Sequence, residues 1–170
     1  MIRFVFLSLL LILPLVGADF DQPRVEAGVL LGGIKEPALG EYPVIAGGRI
    51  TIRAWRLLDG EAEVSRYPIG GSASNYPATI ALFGARAGRR FGNLGLYGKV
   101  RPGFISFDSN LNRPSLGTRP ALNAGGILEF YSTRHLAARF DLGDTVVWYG
   151  RQGPGTRHQL QWSVGVSAWF

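Results

Sequence analysis

The segment Gln159-Leu160-Gln161-Trp162-Ser163-Val164-Gly165-Val166-Ser167-Ala168-Trp169-Phe170 decides how the chain reads. Counting back in twos from Phe170 gives Ala168, Val166, Val164, Trp162 and Leu160, all apolar. Between them stand Ser167, Gly165, Ser163, Gln161 and Gln159, all small or polar, and only Trp169 breaks the alternation. A period of two is that of a β-strand, whose side chains point by turns to opposite faces of the sheet. A strand with one greasy and one polar face belongs between an apolar surrounding and a polar one.

Seven more segments carry the strand pattern, near 24–33, 43–53, 58–67, 78–88, 94–107, 121–131 and 136–149, with the last strand at 158–170. Each is as long as the roughly 9–11 residues of a tilted membrane strand, or a little longer. The connections alternate in length. Those at 54–57, 89–93 and 132–135 are tight, whereas those at 34–42, 68–77, 108–120 and 150–157 are longer and rich in Gly, Pro, Asn and Ser. Short turns on one rim and long loops on the other are the rhythm of a barrel inserted from the periplasm. An even strand number brings both ends of the sheet to the short-turn rim. The expected fold is all-β: an eight-stranded antiparallel up-and-down transmembrane β-barrel.

Residues 1–18 read as an export signal, followed by one barrel domain at 19–170. Arg3 gives a positive start, 4–16 is a mostly apolar run, and Val16-Gly17-Ala18 is a small-residue cleavage site. That run is shorter than the roughly 20 residues a membrane helix needs. Cleavage would leave 17 basic and 12 acidic residues, a net charge of +5. With no cysteine in the chain, disulfides, thiolate metal sites and a lipid-modified N-terminal cysteine are all excluded. The arginines are scattered rather than gathered in a stripe, which argues against nucleic acid as a partner.

The parity of each strand puts charges opposite its apolar face: Glu26, Arg49, Arg53, Glu61, Glu63, Arg86, Lys99, Arg101, Glu129, Arg139 and Asp141. In a soluble sandwich this would be the solvated surface. In a small closed barrel it is the lumen, where opposite signs must meet because an unpaired buried charge costs several kcal/mol. Six cations against five anions fit the second case better. Small residues on the same face, Gly28, Gly32, Gly47, Gly103, Gly125, Gly143, Ser163 and Gly165, leave room for long side chains across a narrow interior. The expectation is an occluded, salt-bridged lumen. Trp55 at a short turn, Trp162, Trp169 and Phe170 on the last strand, and Tyr42, Tyr67, Tyr76, Trp148 and Tyr149 at strand ends nearer the long loops suggest aromatic girdles.

With these features the chain resembles the small outer-membrane β-barrel proteins of the OmpA/OmpX-like type. The resemblance rests on the leader, the hairpin rhythm, Gly98-Lys99-Val100-Arg101-Pro102-Gly103-Phe104, Arg139-Phe140-Asp141-Leu142-Gly143-Asp144 and the terminal Phe170. It implies an integral protein of the outer membrane of a Gram-negative-type cell, exported to the periplasm. Insertion would be by the barrel-assembly machinery, with Trp162, Trp169 and Phe170 as the assembly signal. It also implies a monomer without a peptidoglycan-binding half.

Chemistry is sparse. His158 with Asp108 or Asp144 and a loop hydroxyl such as Ser109 could build a base and nucleophile at the rim, as in a lipid-modifying enzyme. No spacing fixes the three together, so a non-enzymatic protein is expected. No cofactor is expected, and two separated histidines without cysteine do not make a zinc site. Arg66, Arg113, Arg119, Arg151 and Arg157 lie at or beside the long loops and are candidate contacts for lipopolysaccharide phosphates. The expected role is structural or surface-interacting, through the loops. The alternatives are the rim enzyme and a soluble lipocalin-like carrier.

Overall fold

Successive segments with one apolar face can bury their backbone polar groups only by pairing with one another, and closing the sheet leaves no edge. The computed structural model shows this closure; it describes residues 25–35, 44–67, 77–108, 117–149 and 155–170. The strands are β1 (Val25–Lys35), β2 (Val44–Arg53), β3 (Leu58–Tyr67), β4 (Ala78–Phe91), β5 (Leu94–Phe107), β6 (Thr118–Tyr131), β7 (Leu136–Trp148) and β8 (Thr156–Trp169). Each pairs antiparallel with the next, and β8 pairs with β1. The seam is finished by Phe170, whose N–H donates to the Val25 carbonyl at 2.8 Å while the Val25 N–H donates back at 3.3 Å. The leader expected at 1–18 lies outside the described residues.

Four strands run further than their sequence pattern suggests, among them β8, which begins at Thr156. β1 continues to Lys35, carrying Ile34 into the interior, and β6 begins at Thr118, ahead of Pro120. β4 continues to Phe91, so the second tight connection is only Gly92 and Asn93 rather than 89–93. Gly92 takes φ +60, a conformation that suits the first central position of a two-residue hairpin turn and that a side chain rarely adopts.

Inward-facing glycines do more than leave room. Gly125 on β6 faces Gly143 on β7, and a Cβ added to Gly125 would lie 2.1 Å from the Leu142 carbonyl oxygen and 2.5 Å from the Gly143 Cα. The two strands approach here in a way that excludes any side chain.

Residues at alternate positions face outward and form an apolar belt that includes Val29, Ile50, Phe83, Val100, Leu128, Phe140 and Val166. The interior has two storeys. Toward the short-turn rim it is ionic. Toward the long-loop rim it is an apolar cluster containing Leu30, Ile34, Ile45, Ile80, Leu82, Ile105 and Val147, with Phe107 and Tyr149 packed ring to ring at 6.0 Å. The charged face expected from parity therefore fills only part of the barrel's length. The rest is closed by packed hydrocarbon.

Candidate functional site

The ionic storey is built by strand alternation. Asp59, Glu61 and Glu63 on β3 point inward in succession, as do Lys99 and Arg101 on β5 and Arg139 and Asp141 on β7. Arg86 is a hub. Its Nε donates to Asp59 and its Nη2 to Glu26, both at 3.0 Å, and its Nη1 donates to Glu129. Its guanidinium also lies 4.6 Å from the centre of the Tyr97 ring. Glu129 in turn accepts from the Tyr131 hydroxyl at 2.5 Å, and the Tyr131 and Tyr97 hydroxyls are 2.9 Å apart.

A second group links β2, β3, β5, β6 and β7. Arg101 Nη1 donates to Glu61 and to Glu63, each at 2.6 Å, and its Nη2 donates to Asn123 at 2.9 Å. Arg139 forks onto Glu61 and Asp141, with Nη1 to Glu61 and Nε to Asp141 both at 2.7 Å. Lys99 Nζ donates to Asp141 at 2.7 Å. Arg49 is the least well held: Nη1 reaches Asp141 at 3.3 Å, while Nε and Nη2 have no hydrogen-bond partner. Arg53 sits at the half-open end of the storey, 3.7 Å from Asp59. Above the ions, Asn123, Thr145 and Gln161 form a neutral chain of 2.9 Å hydrogen bonds, forming a step between charge and hydrocarbon.

Asp59 is the member that sequence reasoning missed. It shares the parity of Glu61 and Glu63, so the signal was present, but its place beside a tight turn hid it. With Asp59 the storey holds six cations and six carboxylates.

Trp169 needs a correction. It breaks the alternation of β8 because it faces inward, 4% exposed, with the Arg53 guanidinium 5.1 Å and the Arg86 guanidinium 5.6 Å from its ring. It is not part of an outer girdle. Tyr149 is likewise buried inside. Trp55, Trp148, Trp162 and Phe170 do face outward, while Tyr42 and Tyr76 lie outside the described residues, as does the side chain of Tyr67.

Among the described residues, the candidate phosphate-binding arginines differ in their settings. Arg66 is exposed but engages Asp108 at 2.5 Å. Arg119 and Arg157 belong to strand ends rather than loops, each half-buried and on the same face as the inward Ala121 and Gln159. Arg113 and Arg151 lie outside the described residues. Of the proposed rim dyads, the structure forms one: His158 Nδ1 is 2.5 Å from Asp144 Oδ2 on the outward face. Ser109 lies outside the described residues. Among the described residues no group of three or more acidic or histidine side chains is placed to hold a metal ion.

No protein-family model matches the chain, and no curated protein matches it in sequence. Solved structures match it in shape. The N-terminal β-barrel domain of Pseudomonas aeruginosa OprF is 15% identical with a TM-score of 0.68, over 88% of this chain and 98% of that one. Neisserial surface protein A is 13% identical with a TM-score of 0.58, over 86% and 96%. Ail, the attachment invasion locus protein of Yersinia pestis, is 14% identical with a TM-score of 0.54, over 88% and 99%. At such identities the shared property is the barrel. In fold, the chain is a closed eight-stranded antiparallel barrel, similar in shape to these small barrel proteins.

Proposed function

We propose that this protein spans the outer membrane of a Gram-negative-type cell as a closed, non-enzymatic barrel that acts through its long connections on the cell surface. The observation that carries the reading is the opposition of the two faces. Large apolar side chains such as Val29 and Leu96 are exposed around the outside, while charged groups as large as Arg86 and Arg101 are buried inside. A carrier with a greasy cavity would need the reverse. Strands of 10–14 residues also span the hydrocarbon when tilted.

Paired ions below and packed hydrocarbon above leave no continuous wet path through the lumen. Folded protein added to planar bilayers is expected to give no steady conductance, and its gel mobility is expected to shift on boiling. A large, stable single-channel current from the monomer would contradict the closed lumen. Absence of the heat shift, together with recovery in the aqueous phase, would contradict the membrane reading.

The His158–Asp144 pair gives a rim enzyme its one specific support, since a carboxylate on Nδ1 orients an imidazole as a base. Thr156, on the same outward face of β8, is the hydroxyl that the described strand brings nearest in register. Labelled phospholipid incubated with the folded protein is expected to remain intact. Turnover abolished by His158→Ala would establish the enzyme instead.

A further inference from the structure

Hydrogen-bond partners are unevenly shared around the ionic storey. Arg86, Lys99 and Arg139, on β4, β5 and β7, place their side-chain donors on carboxylates. On the opposite wall, made by β3, β2, β1 and β8, buried polar atoms have no hydrogen-bond partner among the described residues. They are Nε and Nη2 of Arg49, the hydroxyls of Thr51, Ser65 and Ser167, and one oxygen each of Glu26 and Glu63.

These six residues are contiguous in the sheet. Glu63, Arg49, Gly28 and Ser167 are register partners in one row across the four strands. Thr51 and Glu26 pair in the row toward the short-turn rim, and Ser65 faces Gly47 in the row on the other side. Gly28 and Gly47, set among them, project no side chain into the lumen. The Arg49 side chain is 1% exposed. Its Nε and Nη2 lie along one edge of the planar guanidinium, an edge able to give two parallel hydrogen bonds. Glu61 Oε2 stands 4.0 Å from Nε and Glu63 Oε2 3.7 Å from Nη1, both beyond hydrogen-bond reach.

The unmatched groups are donors and acceptors together, which decides the ligand. An anion on the guanidinium edge would meet Glu61 and Glu63, and a cation on the carboxylate oxygens would meet Arg49. Six cations already face six carboxylates in the storey, so no counter-ion is called for. Water both donates and accepts, carries no charge, and in protein interiors makes about three hydrogen bonds to otherwise unmatched polar groups.

We propose that this wall of the lumen is a water-binding site. About two or three water molecules, at that valence, bridge Arg49 to the neighbouring carboxylates and to the hydroxyls of Thr51, Ser65 and Ser167. The site is blind. Leu30 and Ile45, inward neighbours of Gly47 toward the long-loop rim, close it on one side, and the buried Trp169 closes it on the other. It hydrates the ion network without opening a path through the barrel.

Two readouts test it. In isotope-labelled wild-type protein folded in detergent micelles, the Arg49 Nε–H is expected to show a nuclear Overhauser cross-peak with water, and the Arg86 Nε–H, held by Asp59, none. Thr51→Val removes a hydroxyl while keeping the side-chain shape, and Ser167→Ala does so with little change in size. Where water bonds the hydroxyl, its loss lowers the urea midpoint of unfolding. Where the wall is dry, deleting an unmatched buried hydroxyl leaves the midpoint unchanged or raises it. Both variants are expected to unfold at lower urea than wild type, with the heat-dependent gel shift showing that each barrel has formed. An unchanged or raised midpoint in either variant overturns the site. So does the absence of a water signal at Arg49, or an equal signal at Arg49 and Arg86, and this readout stands even where a variant fails to fold.

Discussion

Arg86→Met is expected to lower the unfolding free energy of the barrel by about 3–5 kcal/mol, the cost of removing one partner from a buried ion pair. The guanidinium holds three carboxylates at once, and the consequences differ among them. Asp59 keeps Arg53 at 3.7 Å, and Glu129 keeps the Tyr131 hydroxyl and Arg139, the latter at 3.6 Å. Glu26 is left worst, because Arg86 is its ion-pair partner at 3.0 Å and its second oxygen has no hydrogen-bond partner. Adding Glu26→Gln to Arg86→Met should therefore recover part of the loss. Arg49→Met should cost less, since that guanidinium already makes only one hydrogen bond, at 3.3 Å. Urea titration of protein folded in vesicles, read by the heat-sensitive gel shift, ranks the variants. Equal midpoints for wild type and Arg86→Met would mean that the network does not hold the barrel together.

The outer face supplies the second large effect. Leu142 occupies the middle of β7, faces outward, and lies between Gly126 and Trp162 in register. In hydrocarbon, an arginine at that depth costs about 2–4 kcal/mol, whereas near an interface the cost falls to about 0–1 kcal/mol. Leu142→Arg is thus expected to shift the unfolding midpoint strongly, and Leu136→Arg, at the short-turn end of the same strand, only slightly. On a water-exposed surface both changes would stay within about 0.5 kcal/mol. Two small, equal shifts would place water rather than lipid against the belt.

Much of this architecture is legible in the sequence because one physical constraint writes it. Between lipid and a polar lumen every strand must alternate, and the alternation of β8, β7 and β2 gives the inward position of Arg49, Arg139 and Asp141 from parity alone. Where the interior is itself apolar the alternation vanishes. Leu30-Leu31, Leu82-Phe83, Phe104-Ile105 and Val146-Val147 each put one apolar side chain in and one out, so the upper storey is invisible as a pattern. Trp169 shows the opposite failure. Its inward parity was readable, but its aromatic type suggested an interfacial girdle, and only the position of the Arg53 and Arg86 guanidinium groups shows what the ring does. Arg66 and Asp108 pair across 42 positions, a contact that no local pattern encodes.

Everything rests on hydrocarbon outside and ions within, and two tryptophans on one strand report on the two sides. Trp162 faces outward at mid-strand, 40% exposed, whereas Trp169 is enclosed beside Arg86. Single-tryptophan variants are made by changing the other three of the four tryptophans to phenylalanine. Each is folded into vesicles whose acyl chains carry bromine, a contact quencher of indole fluorescence. The account predicts strong quenching of Trp162 and nearly unchanged emission from Trp169. Strong quenching of Trp169 with Trp162 untouched would contradict it.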